Sequence, residues 1–190
     1  MLISLTGTPG TGKTSVSELL KVLGYKIIDL NKLANDNNLI IGFDEKRNSN
    51  IVDIEKLNIF FKSYEPIDTI IIDSHLSHHI KKADKVIILR CSPDKLRMNL
   101  EKKGWGENKI NENIEAEILD IILSETIELH DTNNIYEIDS TELRIKEVVR
   151  IIDDLLKNNF KNIKKYKIGK IDWSEELLKD NNYLGRENGS

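Results

Sequence analysis

Gly7-Thr8-Pro9-Gly10-Thr11-Gly12-Lys13-Thr14 follows directly on the apolar stretch Leu2-Ile3-Ser4-Leu5. The run matches G-x-x-x-x-G-K-[ST] at every fixed position. It lies between a strand expected over about 2–6 and a helix expected from Thr14 to about Leu23, where Gly24 stops it. This is the pattern of a phosphate-binding loop. Its glycines let successive backbone N–H groups converge on phosphate oxygens that a side chain would block. Lys13 supplies a mobile charge for the β- and γ-phosphates, and the Thr14 hydroxyl can hold Mg²⁺. The helix start aims its partial positive end at the same anion. The chain is therefore expected to bind a nucleoside triphosphate.

Composition limits what surrounds that loop. A chain of 190 residues, 39% hydrophobic and 32% charged, suits one α/β domain with a tail. A net charge of −4 offers no global attraction for nucleic acid, so any such contact has to be local. Cys91 is the only cysteine, which excludes an internal disulfide. It also favours a reducing compartment, cytoplasmic or, in a eukaryote, nuclear. Cys91 ends an apolar strand, and an inert buried thiol is the expectation there. No apolar run approaches the length of a membrane span.

Strands and helices alternate along the chain. A second strand is expected at Tyr25–Ile28, and a short helix at Leu30–Asp36, before an irregular polar stretch running to Asn50. Asp53 can cap a helix bearing Ile54, Leu57, Phe60 and Phe61. Thr69–Asp73 and Lys85–Arg90 read as aliphatic strands covered on both faces. Ser92-Pro93 opens a helix ending at Gly104, and a loop at Trp105–Asn108 leads into one long helix through about His130. A fifth strand at Ile135–Ile138 and a helix over Glu142–Leu156 complete an α/β fold with a doubly wound, five-stranded parallel sheet. Beyond it, Lys157, Lys161, Lys164, Lys165, Lys167 and Lys170 occur with no acidic residue between them. Removing those six charges from the net −4 leaves −10 for the remainder. A solvated linker is the simplest reading, and local contact with RNA or with an acidic surface the alternative. Trp173 is expected to pack the tail onto the domain.

In a doubly wound sheet, ligands gather at the carboxyl ends of the strands. Asp73 ends its strand and is the expected Mg²⁺ carboxylate opposite Thr14, with Asp29 as competitor. His75, two residues on, is placed to orient a water or to bond a transferring phosphoryl group. His78 and His79 follow closely, which raises the question of a transition-metal cluster. Their spacing matches no helical histidine pair, and the phosphate loop already accounts for a Mg²⁺ site. The segment Leu96–Glu117 reads as a short lid, with Gly104 as hinge and Lys103 swinging onto the transferred phosphate. Arg97 and Arg90 are further phosphate-facing options, though Arg90 can equally pair with a surface carboxylate. A short lid excludes water incompletely, so some ATP hydrolysis is expected.

Three segments together carry a family resemblance: the phosphate loop, Asp73-Ser74-His75, and Leu100-Glu101-Lys102-Lys103-Gly104-Trp105. They resemble the sixth adenylate kinase isoenzyme family, whose archaeal and eukaryotic members act in small-ribosomal-subunit maturation. Asn108-Lys109-Ile110, Asn113 to Ile118, Leu33-Ala34 and Ile41-Gly42-Phe43-Asp44 support the likeness over roughly residues 1–155. It implies a P-loop nucleoside monophosphate kinase fold over 1–157, with a monophosphate-binding segment at about 29–52, a short lid at about 99–112 and a tail at 158–190. ATP with Mg²⁺ as donor, AMP as acceptor and a coupled ATPase are implied. So is a platform ribosomal protein as partner, with rRNA contact through the tail lysines as a further possibility.

Residue by residue, the likeness places Gly10, Gly12, Lys13, Thr14 and Ser15 on ATP, and Asp73 and His75 in the catalytic Asp-x-His box. Lys103 takes the place of the lid arginine. A second family arginine falls on Asn99. Lysine keeps the charge but loses the bidentate fork. Three functions are then open: an AMP kinase, an ATP-driven assembly switch, and a small-metabolite kinase. The Asp-x-His box favours the first two.

Overall fold

The computed structural model describes residues 1–45, 47, 49–161 and 164–176. Five parallel strands form the central sheet: β1 (Leu2–Thr6), β2 (Lys26–Asp29), and three others separated by helices. A hairpin, β3 (Ile40–Asp44) with β4 (Ser49–Val52), interrupts the series before β5 (Ile70–Asp73), β6 (Lys85–Arg90) and β7 (Ile135–Asp139). The sheet order is β2-β5-β1-β6-β7, so the strand leading into the phosphate loop lies at the centre. The helices are α1 (Lys13–Val22), α2 (Leu30–Asp36), α3 (Ile54–Lys62), α4 (Pro93–Lys102), α5 (Glu107–Ile118), α6 (Ile121–Leu129) and α7 (Ile145–Lys157).

The aliphatic runs are continuous because both sheet faces are covered, and alternate residues serve opposite faces. Ile3, Leu5, Ile71, Ile87 and Leu89 pack under α1 and α7, against Val16, Leu20, Val148 and Ile152. Leu2, Ile70 and Ile72 pack on the other face against Leu30 and Ala34 of α2 and Leu57 and Phe61 of α3. Val86 and Ile88 meet Leu123 of α6 on that side. Asp29 and Asp53 cap α2 and α3, their side chains accepting from Lys32 N at 3.1 Å and Lys56 N at 3.0 Å. No helix of the described residues is long and apolar enough to cross a membrane.

Three expectations change. The polar stretch before Asn50 is not irregular: it folds into the β3–β4 hairpin, with Phe43 opposite Asn50 and Asp44 opposite Ser49. Ile41, Phe43 and Ile51 stay exposed there, so the apolar pattern that marks a buried strand is missing. The long helix before His130 is two helices. Asp120 adopts a left-handed conformation (φ 53°) between α5 and α6, and no glycine or proline announces the break. The lysine-rich tail is not a solvated linker where it is described. Lys167 bridges antiparallel to Tyr136 on the β7 edge, and Gly169 N donates to Glu137 Oε2 at 2.9 Å. Trp173 packs, as expected, on the cluster of Cys91, Leu96, Leu100, Ile110 and Ile114.

The phosphate loop is built around its first glycine. Gly7 has φ 134°, and a Cβ there would lie 2.3 Å from the Leu89 carbonyl oxygen of β6. Gly7→Ala should therefore cost about 2–4 kcal/mol, from backbone strain and displacement of β6. Chemical denaturation is the check, and a loss under about 0.5 kcal/mol would show that β6 yields freely.

Candidate functional site

A cleft of about 620 Å³ opens at the carboxyl ends of β1, β2 and β5. Gly10, Gly12, Lys13, Thr14 and Ser15 form its floor. Lys13 is buried and folds back over the loop, its Nζ donating to Gly7 O at 2.5 Å and Thr8 O at 3.0 Å. Burial lowers its pKa to about 8 against the opposing pull of Asp73. The ammonium is thus held desolvated in the place where phosphate oxygens would meet it. Thr14 and Ser15 are exposed to the cleft.

Parallel pairing sets Asp73 beside Leu5 on one side and Asp29 on the other. Burial raises the Asp73 carboxyl above the ordinary carboxylate range; the Ser17 hydroxyl and Lys13 oppose that, and Asp29 adds to it. Asp29 also lines the cleft, but one of its oxygens is committed to capping α2. The Thr14 hydroxyl and the Asp73 carboxylate face one space, and both are hard oxygen donors. Such a set fits Mg²⁺, which keeps several waters and takes few protein ligands.

His75 lines the same cleft. The turn carrying it is pinned to β1 by the strand's two polar side chains, which explains why Ser4 and Thr6 interrupt an apolar run. Ser4 Oγ and Ser77 Oγ are 2.7 Å apart, and Ser77 Oγ donates to Leu5 O at 3.1 Å. Thr6 Oγ1 donates to His75 O at 3.3 Å. Burial, then Lys13, pushes the His75 imidazole down to about 4, so the ring is neutral near pH 7. A neutral ring can accept a proton from water or hydrogen-bond a phosphoryl oxygen.

The lid side brings Lys103 and Trp105 to the cleft, with Gly104 between them at φ 72°. Asn99, which stands where the resemblance would put a second arginine, donates its Nδ2 hydrogen to Gly10 O at 3.0 Å and so ties α4 to the loop. Lys109 was missed. It lines the cleft, its Nζ lies 4.3 Å from the Trp105 ring centroid, and it donates to Arg47 O at 2.6 Å. Its four-residue spacing from Trp105 on the helical side of the lid is the signal that would have found it.

Two sequence candidates face elsewhere. Arg97 bonds Glu107 Oε1 at 2.6 Å and Asn111 Oδ1 at 2.5 Å and does not line the cleft. Arg90 is 2% exposed, and of the two partners expected for it the structure gives it carboxylates, two of them buried and one partly exposed. Its guanidinium holds Glu117 Oε1 at 2.7 Å, Glu137 Oε1 at 2.5 Å, and Asp120. Glu117 in turn accepts from the Thr8 hydroxyl and from Cys91 N at 3.2 Å, so Arg90 anchors the phosphate loop from beneath. Cys91 itself is buried, and its thiol is pushed up to about 12, chiefly by burial.

Known proteins match this chain along most of its length. Residues 3–120 match the family model described as AAA domain. Three archaeal relatives are each named "Putative adenylate kinase". That of Archaeoglobus fulgidus is 42% identical, covering 93% of this chain and 94% of its own. That of Methanosarcina acetivorans is 43% identical over 93% and 100%, and that of Methanocaldococcus jannaschii 39% over 94% and 96%. The fold is shared with shikimate kinase from Bacteroides thetaiotaomicron (TM-score 0.55, 17% identity, 83% of this chain and 98% of that one). It is shared as well with deoxyadenosine kinase from M. mycoides (TM-score 0.52, 20% identity, 84% and 100%). The α/β sheet with its phosphate loop at the central strand is thus the P-loop kinase fold, and by its close relatives this chain belongs to the adenylate-kinase-like P-loop family.

Proposed function

We propose that this protein transfers the γ-phosphoryl group of ATP to AMP, forming two ADP, and hydrolyses ATP slowly when no acceptor is bound. The observation that carries this reading is the make-up of the cleft. Donor-side residues Lys13, Thr14 and Asp73 share it with Asp29, Asn31 and Ser49, which come from the β2–α2 junction and the β3–β4 hairpin. Donor and acceptor nucleotides would then meet in one space, as transfer between them requires.

In this account the loop amides and Lys13 hold the β- and γ-phosphates. Thr14 and Asp73 would hold Mg²⁺, which neutralises charge on the transferred group. Asp29, Asn31 and Ser49 orient the acceptor, and Lys103 and Lys109 approach from the lid. His75, neutral and aimed into the cleft, holds the attacking oxygen in line. Residues 1–157 form the catalytic domain, with acceptor segment 29–52 and lid 99–112. Phosphorylation rates with ATP and AMP, CMP or shikimate as acceptor test the assignment. AMP should be the fastest; shikimate phosphorylated with AMP untouched would overturn it.

The hydrolytic branch depends on His75. His75→Ala should lower ATP turnover without acceptor by about 10²-fold, with ATP affinity changed only a few-fold. Single-turnover rates and nucleotide titrations measure the two separately. Equal losses in both would count against a water-orienting role. A role in small-subunit maturation, through a ribosomal protein and rRNA, then rests on this ATPase and on the exposed Lys161, Lys164 and Lys165. Lys157 and Lys167 are bonded within the chain, to Asp153 Oδ2 at 2.6 Å and Asn133 O at 2.9 Å.

A further inference from the structure

Behind the cleft, on the far side of the turn that carries His75, lie His78, His79 and Glu125. None of the three lines the ATP site. His78 and His79 form a short 3₁₀ turn, Ser77–His79, and α6 brings Glu125 to it from 47 residues along the chain. One ligand atom from each lies within 4.8 Å of the others. We propose that these three side chains bind a borderline divalent transition metal, of which Zn²⁺ is the representative, as a His₂Glu site with one position left for water.

The distances suit that ion. Tetrahedral Zn²⁺ with bonds of about 2.0–2.1 Å sets its ligand atoms about 3.3 Å apart. Glu125 Oε2 is 2.9 Å from His78 Nε2 and 3.9 Å from His79 Nε2, on either side of that value. Small ring rotations close the difference. Imidazole ligands favour Zn²⁺ and its neighbours over Mg²⁺, which separates this site chemically from the Thr14–Asp73 pair.

The surroundings orient the first ligand. The Thr6 hydroxyl has one hydrogen and donates it to His75 O. Its oxygen, 3.1 Å from His78 Nδ1, accepts from that nitrogen when the ring carries its proton there. In that tautomer the Nε2 lone pair of His78 faces Glu125 Oε2 at 2.9 Å, and a cation held by both takes the place of the proton that joins them in the other tautomer. His130 Nε2 donates to His78 O at 2.6 Å and holds the backbone of the turn. His78 is 1% exposed while Glu125 is 44% exposed, so an ion has a path in from the carboxylate side. Once bound, the metal would clamp α6 to the turn that positions His75.

The full-length protein, stripped with a chelator, can be titrated with Co²⁺ and followed by visible absorption. An Asp73→Asn background removes the carboxylate of the ATP cleft. One equivalent should bind with the ligand-field bands of a tetrahedral N/O site, and Zn²⁺ should displace it. Glu125→Gln and His79→Asn should each weaken binding at least about tenfold. Both replace partly exposed side chains, so the fold survives where removal of buried His78 threatens it. Zn²⁺ should also raise the Tm of the otherwise unaltered protein but not of Glu125→Gln. Binding abolished by Asp73→Asn alone, or unchanged in Glu125→Gln, would overturn the proposal.

Discussion

Lys13→Met should lower both phosphoryl transfer and ATP hydrolysis by about 10³-fold or more, equivalent to roughly 4 kcal/mol of transition-state stabilisation. The fold should survive this substitution. Methionine fills nearly the same volume, and what lysine does in the free protein is costly. Burial holds its ammonium at about 8, against an ordinary 10.5, while leaving it charged at neutral pH. The shift corresponds to about 3 kcal/mol of destabilisation below pH 8, relieved as pH rises toward 10.5, because the folded state there resists the proton that the unfolded chain still holds. Lys13→Met should thus keep or raise the Tm by a few degrees while abolishing turnover. Retained turnover would show that the phosphate loop is not the catalytic centre, and a lowered Tm would show that Lys13 stabilises the empty loop.

Arg90→Ala should have the largest effect on stability, a loss of about 3–5 kcal/mol. Removing the guanidinium strands Glu117 and Glu137, whose side chains are only 2% and 1% exposed. At roughly 2–4 °C per kcal/mol for a chain of this size, the Tm should fall by about 10 °C. Burial already holds the Glu137 carboxyl above its usual range with Arg90 present. In the variant Glu137 binds its proton still more readily folded than unfolded, so the deficit should shrink as pH falls. Arg90→Lys should lose less, keeping the charge without the fork that reaches three carboxylates. Thermal denaturation at pH 5 and pH 8 measures both effects. A loss under about 1 kcal/mol at pH 8 would mean that water reaches the network.

Much of this was legible from the chain alone, because it is written locally. The phosphate loop is one contiguous pattern, and Asp73 and His75 follow from a strand end and its next residues. The aliphatic strands announce themselves by composition. What was not legible depends on partners distant in sequence. Arg90 stayed open between phosphate and a carboxylate because its partners Glu117 and Glu137 lie 27 and 47 residues away. His78 and His79 made no metal site by spacing, since Glu125 joins them only through the packing of α6. The hairpin was hidden because its apolar residues face solvent, and the α5–α6 break because Asp120 takes a conformation usually marked by glycine. Lys109 was overlooked although Trp105 stands four residues before it, because its other partner, the Arg47 carbonyl, lies 62 residues away.

In the proposed reaction, one cleft transfers phosphate from ATP to AMP. Supplying ATP·Mg²⁺ with and without AMP, and resolving ADP, AMP and free phosphate with time, tests it directly. Two ADP should form for each AMP consumed, with free phosphate a minor product that falls when AMP is added. ADP appearing with equal free phosphate, at a rate that AMP leaves unchanged, would contradict it.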